Sequence, residues 1–145
     1  MIRLTDTLWI GNSADEQHGD FYVQNINAVL NVARDLQGTR GWMEGIEYMQ
    51  VGLVDGPGNP LGMYHAAILA VTALCNRGRT LMYDHTGGRA LAIAIMYLNT
   101  QSRHGWDGWL AILRERVDTE LPELHEAHRA AFNKLNWRFL EGVAE

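Results

Sequence analysis

Leu81-Met82-Tyr83-Asp84-His85-Thr86-Gly87-Gly88-Arg89-Ala90 is the stretch on which the reading of this chain turns. Thr80 to Tyr83 is short and apolar enough for a central strand. A tight glycine loop follows, and a helix is expected from about Arg89 to Thr100. A strand, a glycine loop and a helix N-terminus in that order form an anion cradle, because loop N–H groups point inward and the helix end adds partial positive charge. Gly87 and Gly88 let the backbone turn without a Cβ clash. Arg89 can grip an oxyanion with two prongs. Taken alone, Gly-Gly-Arg is a weak signal, better read as an ordinary strand-to-helix turn with a solvated arginine.

The neighbouring elements give the loop its setting. Leu4 and Leu8-Trp9-Ile10 read as short strands, the second ended by Gly11-Asn12. Ile26 to Val32 and Ile46 to Leu53 read as buried strands, separated by a polar loop from Arg34 to Gly45 that holds Gly38, Gly41 and Trp42. Asp55-Gly-Pro-Gly-Asn-Pro60 forbids a regular element. A helix is expected from Leu61 to Asn76, where Tyr64, Ala67, Ile68, Val71, Leu74 and Cys75 form one apolar stripe. Trp106, Trp109, Leu110, Leu113 and Val117 form another, with core packing favoured over sugar stacking for the two tryptophans. Leu121, Leu124, His128, Ala131, Leu135 and Phe139 predict a last helix. The early alternation of strand and helix implies a mainly parallel sheet. The expected fold class is α/β, a central mainly parallel sheet flanked by helices, in a single domain over residues 1–145.

The bulk properties bound the function classes. The chain has 145 residues, 47% hydrophobic and 20% charged, with a formal net charge of -5. That balance argues against a general nucleic-acid or anionic-membrane surface. No apolar stretch approaches the roughly 20 residues of a membrane span. The N-terminus has no signal-peptide pattern, so a cytoplasmic location is expected. One cysteine, Cys75, allows no intrachain disulfide and no cysteine-rich metal site; on its helix stripe it reads as an inert core thiol. His65, His104, His125 and His128 form no metal spacing with acidic partners, and His128 reads as a packed or hydrogen-bonded histidine. No metal and no cofactor are expected.

The chain resembles the dual-specificity subgroup of the protein tyrosine phosphatase superfamily over nearly its whole length. Leu8-Trp9-Ile10-Gly11-Asn12 is similar to the family's early strand, and Ile26 to Ala33 to its core strand. Asp55 matches the position of the general-acid aspartate. Met82 to Ala90 matches the signature loop, His-Cys-x-x-Gly-x-x-Arg-Ser/Thr. On that resemblance Tyr83 replaces the histidine, Asp84 the nucleophilic cysteine and Ala90 the Ser/Thr. Only four residues separate Asp84 from Arg89, one fewer than in the family. Thiolate chemistry is therefore not expected of this loop.

Two readings of the departures stay open. In the leading one, chemistry changed: Asp84, as nucleophile or base, faces Asp55, as general acid, in a hydrolase for a glycoside or a similar ester or acetal. Paired carboxylates in one pocket divide into a protonated and an ionised member, the equipment of glycosidases. Arg89, Gly87, Gly88, His85 and Tyr83 would then orient a small-molecule substrate, and Arg34-Asp35 would edge the pocket. In the alternative, Asp84 caps backbone N–H groups or pairs with Arg89, filling the anion site from within. Asp55 then only stabilises its Gly-Pro turn. The protein is on that view a pseudophosphatase, a binding module with a protein partner. An aspartyl phosphate route ranks below both, because nothing offsets the repulsion between Asp84 and a phosphate dianion.

Overall fold

The computed structural model describes residues 1–18, 24–37 and 45–144. Gly38, Gly41 and Trp42 lie outside the described residues. A five-stranded sheet runs in the order β1-β2-β5-β3-β4, built from β1 (Ile2–Arg3), β2 (Leu8–Gly11), β3 (Ala28–Ala33), β4 (Glu47–Leu53) and β5 (Thr80–Tyr83). β1 pairs antiparallel with β2, and the other pairings are parallel. β5 therefore sits at the centre, as its apolar composition requires. Every residue of β2, β3 and β5 is buried, as expected of parallel strands covered on both faces.

The register sorts these strands into two faces. Ile10, Met82 and Leu30 lie opposite one another across β2, β5 and β3, and all three belong to the main core. One residue earlier, Trp9, Leu81 and Val29 align and join Ile26 and Tyr83 in a smaller cluster on the other face. The period of two in side-chain direction produces this division.

The main core lies under the helices: α2 (Leu61–Arg77), α3 (Gly88–Gln101), α4 (Gly105–Arg116), α5 (Glu126–Phe132) and α6 (Trp137–Ala144). α3 is buried at every position from Gly88 to Thr100. Its run Ala-Leu-Ala-Ile-Ala-Ile-Met is apolar on all sides, so the stable place for it is inside the helical layer. The stripe predicted on α2 is buried as a set, and so are Trp106, Trp109, Leu110 and Leu113 on α4. Among the described residues no helix is long and apolar enough to cross a membrane.

Two differences from the sequence reading have local causes. The expected last helix is two short ones with an irregular segment before them. Pro122 disfavours helix in the residue ahead of it, and His125 delays the start by capping, its Nδ1 accepting the Ala127 N–H at 3.0 Å. Leu121 and Leu124 instead pack against the core from an irregular segment. Asn136 then begins α6, its Oδ1 accepting the Phe139 N–H at 3.2 Å. Phe139 is 51% exposed rather than buried. The second difference is a short helix, α1 (Ser13–His18), after β2. Asn12 and Asp15 cap it reciprocally, each side chain accepting the other's N–H at 3.1 and 2.9 Å, a spacing visible in the sequence.

Candidate functional site

β5 delivers Asp84 to the centre of the sheet's C-terminal edge, and the chain reverses through His85 to Gly87 into α3. Gly87 has φ +93°, where a Cβ would be strained. A Cβ there would also come within 2.8 Å of Pro122, and one on Gly88 within 2.4 Å of the Glu123 carbonyl oxygen. The glycines thus serve close approach of the segment before α5 as much as turning.

Asp84 is fully buried. Its Oδ1 accepts the Gly87 N–H. Its Oδ2 accepts the Arg89 backbone N–H at 2.5 Å and the Arg89 Nε–H at 3.3 Å. The carboxylate therefore takes up donors that a loop of this shape would offer an external anion, and it supplies the cap that Gly87 lacks. Arg89, 4% exposed, also donates through Nη1 to Asp35 Oδ1 and to the Leu53 carbonyl oxygen, each at 2.8 Å. Asp35 is exposed and pairs with His85 Nε2 at 3.5 Å. The hydrogen bond from Arg89 holds the Asp35 carboxyl below its usual range. Arg34-Asp35 was expected to edge the pocket, and Asp35 does meet Arg89.

Asp55 stands apart from this knot. Its side chain is 44% exposed, and its Oδ1 lies 3.1 Å from His128 Nε2. The His128 Nδ1 lies 2.8 Å from the Tyr64 hydroxyl. Asn59 closes the loop behind Asp55: its Oδ1 accepts the Val54 N–H at 2.8 Å, and its Nδ2 donates to the Val54 carbonyl at 2.8 Å and to Tyr64 Oη at 3.3 Å. Burial pushes the His128 imidazole below the ordinary histidine value and the Tyr64 phenol above its own.

A cleft of about 630 Å³ is lined by Asp55, Thr86, Glu123, Leu124 and His125. Asp84 is not among the residues that line it. The acidic residue that lines this cleft with Asp55 is Glu123, and no local pattern announces it, because the segment read as helix. Tyr83, expected beside the loop, is wholly buried in the cluster on the opposite face of the sheet, near Tyr48, and burial raises its phenol far above the normal value. Among the described residues no three His, Cys, Asp or Glu side chains gather as metal ligands.

No family model matches the chain, and no curated protein matches it. Solved structures do. DUSP15 superposes with a TM-score of 0.77 at 20% identity, covering 98% of this chain and 90% of its own. A mouse putative dual specificity phosphatase complexed with zinc tungstate gives 0.75 at 22% identity, with 99% and 90% covered. The human tyrosine phosphatase-like serine/threonine/tyrosine-interacting protein gives 0.77 at 13% identity, with 97% of both chains covered. The fold is that of the dual-specificity phosphatases. Within a dual-specificity-phosphatase fold, the loop between β5 and α3 opens at the C-terminal edge of the sheet, where open α/β sheets place their ligands.

Proposed function

We propose that this domain is a non-catalytic binding module on a dual-specificity-phosphatase fold, and that it recognises a partner at the cleft beside Asp55. One observation carries the reading: the fully buried Asp84 carboxylate accepts the Gly87 and Arg89 backbone N–H groups and the Arg89 Nε–H, so the protein's own carboxylate takes up donors of the anion site. A phosphate dianion would have to displace a carboxylate from its own bonded donors. The cleft rim is acidic, with Asp55 and Glu123 lining it, which favours a neutral or basic group on a protein partner over a phosphate. The free, buried thiol of Cys75 suits a reducing, cytoplasmic setting.

The competing reading is the hydrolase with Asp84 as nucleophile or base and Asp55 as general acid. It requires both carboxylates to reach one substrate, yet Asp55 lines the open cleft and Asp84 does not. The aspartyl phosphate route requires the same access and adds charge repulsion.

The deciding experiment is hydrolysis of matched aryl phosphates and aryl glycosides by the protein, Asp84→Ala and Asp55→Ala. The binding-module reading expects no turnover of either class above the two variants. Turnover of one class that both substitutions abolish would replace it with the carboxylate-pair hydrolase.

A further inference from the structure

The chain contains the pairs Asp55-Gly56 and Asp107-Gly108, and no Asn-Gly pair. An Asp-Gly pair can rearrange without an enzyme. The glycine nitrogen attacks the aspartate Cγ, the N–Cγ bond forms, and the carboxyl hydroxyl leaves with the amide proton as water. The cyclic imide then takes up water at either carbonyl. Attack at Cγ restores aspartate. Attack at the main-chain carbonyl breaks its bond to the glycine nitrogen and leaves isoaspartate, in which the main chain runs through the side-chain carbon. Glycine favours ring closure because no Cβ crowds the attacking nitrogen.

The fold treats the two pairs differently. Gly108 lies inside α4, where helical backbone angles hold its nitrogen away from the Asp107 Cγ and the helix takes up its N–H. Asp107 is also tied to Arg129 at 2.7 Å. Asp55-Gly56 lies in the loop after β4, outside any regular element. The Asp55 side chain is 44% exposed. Asn59 bonds the Val54 N–H and the Val54 and Gly56 carbonyls, yet among the described residues nothing bonds the Gly56 N–H. Gly56 is buried, which does not hinder closure, because the attacking atom is the adjoining amide nitrogen and water departs from the exposed carboxyl.

We propose that Asp55-Gly56 is a self-modification site, where the carboxyl closes on the Gly56 nitrogen and reopens as isoaspartate, withdrawing the Asp55 carboxylate from its place in the cleft. In the isomer the carboxylate sits directly on Cα, and the main chain is one carbon longer. The shortened arm no longer reaches His128 Nε2, and that fully buried ring loses a partner. The added carbon enters the loop that Asn59 spans from Val54 to Gly56. The net charge is unchanged, but the cleft lined by Asp55 and Glu123 has one of these carboxylates moved as the chain ages.

The inference rests on the binding-module reading only for its biological use, and its test needs no partner. The folded full chain and Gly56→Ala are kept warm at pH 6 in water enriched in heavy oxygen, then digested. Mass spectrometry with electron-transfer fragmentation reads the label and tells isoaspartate from aspartate. Each opening of the imide writes one heavy oxygen into the residue. Expected are isoaspartate at position 55 and label that accumulates there faster than at Asp107. Among the described residues a Cβ on Gly56 meets only His125 Nε2, at 3.8 Å, so the alanine fits. It should slow labelling of Asp55 by about tenfold, equivalent to about 1.4 kcal/mol of barrier. Asp55 labelled no faster than Asp107, no isoaspartate at position 55, or Gly56→Ala labelled at the parent's rate would each overturn the proposal. None of those results bears on whether the protein turns over a substrate or binds a partner.

Discussion

The Asp84 carboxylate and the Arg89 guanidinium meet at 3.3 Å with side chains 0% and 5% exposed, so the loop carries its own counter-ion. Removing one partner of such a pair leaves the other's donors without solvent to replace the loss. Asp84→Ala should lower stability by about 3 kcal/mol, through orphaned N–H groups at Gly87 and Arg89 and a half-paired guanidinium. Urea unfolding measures it. A cost below about 1 kcal/mol would mean that the loop relaxes to pair those donors elsewhere.

The same vacated donors predict a gain. Asp84→Ser should be stabilised by millimolar phosphate or tungstate, seen as a rise in melting temperature with anion concentration, whereas the parent protein should not respond. Equal response by both would show that the carboxylate does not occupy the anion site.

Gly88→Ala should loosen the segment before α5. A Cβ at Gly88 meets a backbone carbonyl oxygen at 2.4 Å, and a carbonyl cannot swing aside as a side chain can. The expected loss is about 1–3 kcal/mol, read by denaturant unfolding, with faster amide exchange from Leu121 to His125. Gly62→Ala, where nothing lies within 4 Å of the added carbon, is the matched control and should be neutral or better.

Asp35→Asn tests the outer side of the site. Asp35 is 66% exposed, so its pair with Arg89 should contribute less than about 1 kcal/mol at pH 7. Its folded value lies below the usual 3.8, so the contribution is present above pH 3.8 and lost as pH falls through the lowered value. The variant and parent should converge in stability at the acid end of a pH series, and high salt should narrow their difference at pH 7.

Cys75 should be inert. It is 6% exposed, and burial raises its thiol, leaving little thiolate at neutral pH. An aromatic disulfide reagent should modify it at the rate of unfolding, with full reaction in urea. Rapid reaction in native buffer would show that the packing of α2 against Thr7 opens readily.

Much of this arrangement was legible in the residues because periodicity carries it. Thr80–Tyr83, the α2 stripe and Trp106 to Leu113 are patterns of burial, and burial built the core. The last third of the chain was less legible. The stripe through Leu121, Leu124 and His128 has helical spacing, but Pro122 and the His125 cap break the helix, and spacing alone does not weigh a proline against a stripe. At the site, Arg89 and Asp84 could be named from the strand–loop–helix order. Glu123 could not, because it reaches the cleft through an irregular segment whose course is set by the two glycines it packs against. Tyr83 was placed beside the loop by adjacency in sequence, yet the strand's alternation sends it to the opposite face.

Arg89 also has a mechanical meaning. Through three partners it joins the residue after β5, the end of β4 at Leu53 and the turn after β3 at Asp35. Three chain segments are riveted at one cation that hardly touches water. These three segments therefore cannot come apart without the sheet edge, and their amides belong with the slowest exchanging class. On the binding-module reading, a partner that meets this edge of the sheet finds these three segments already ordered, so that part of the ordering cost is met before binding.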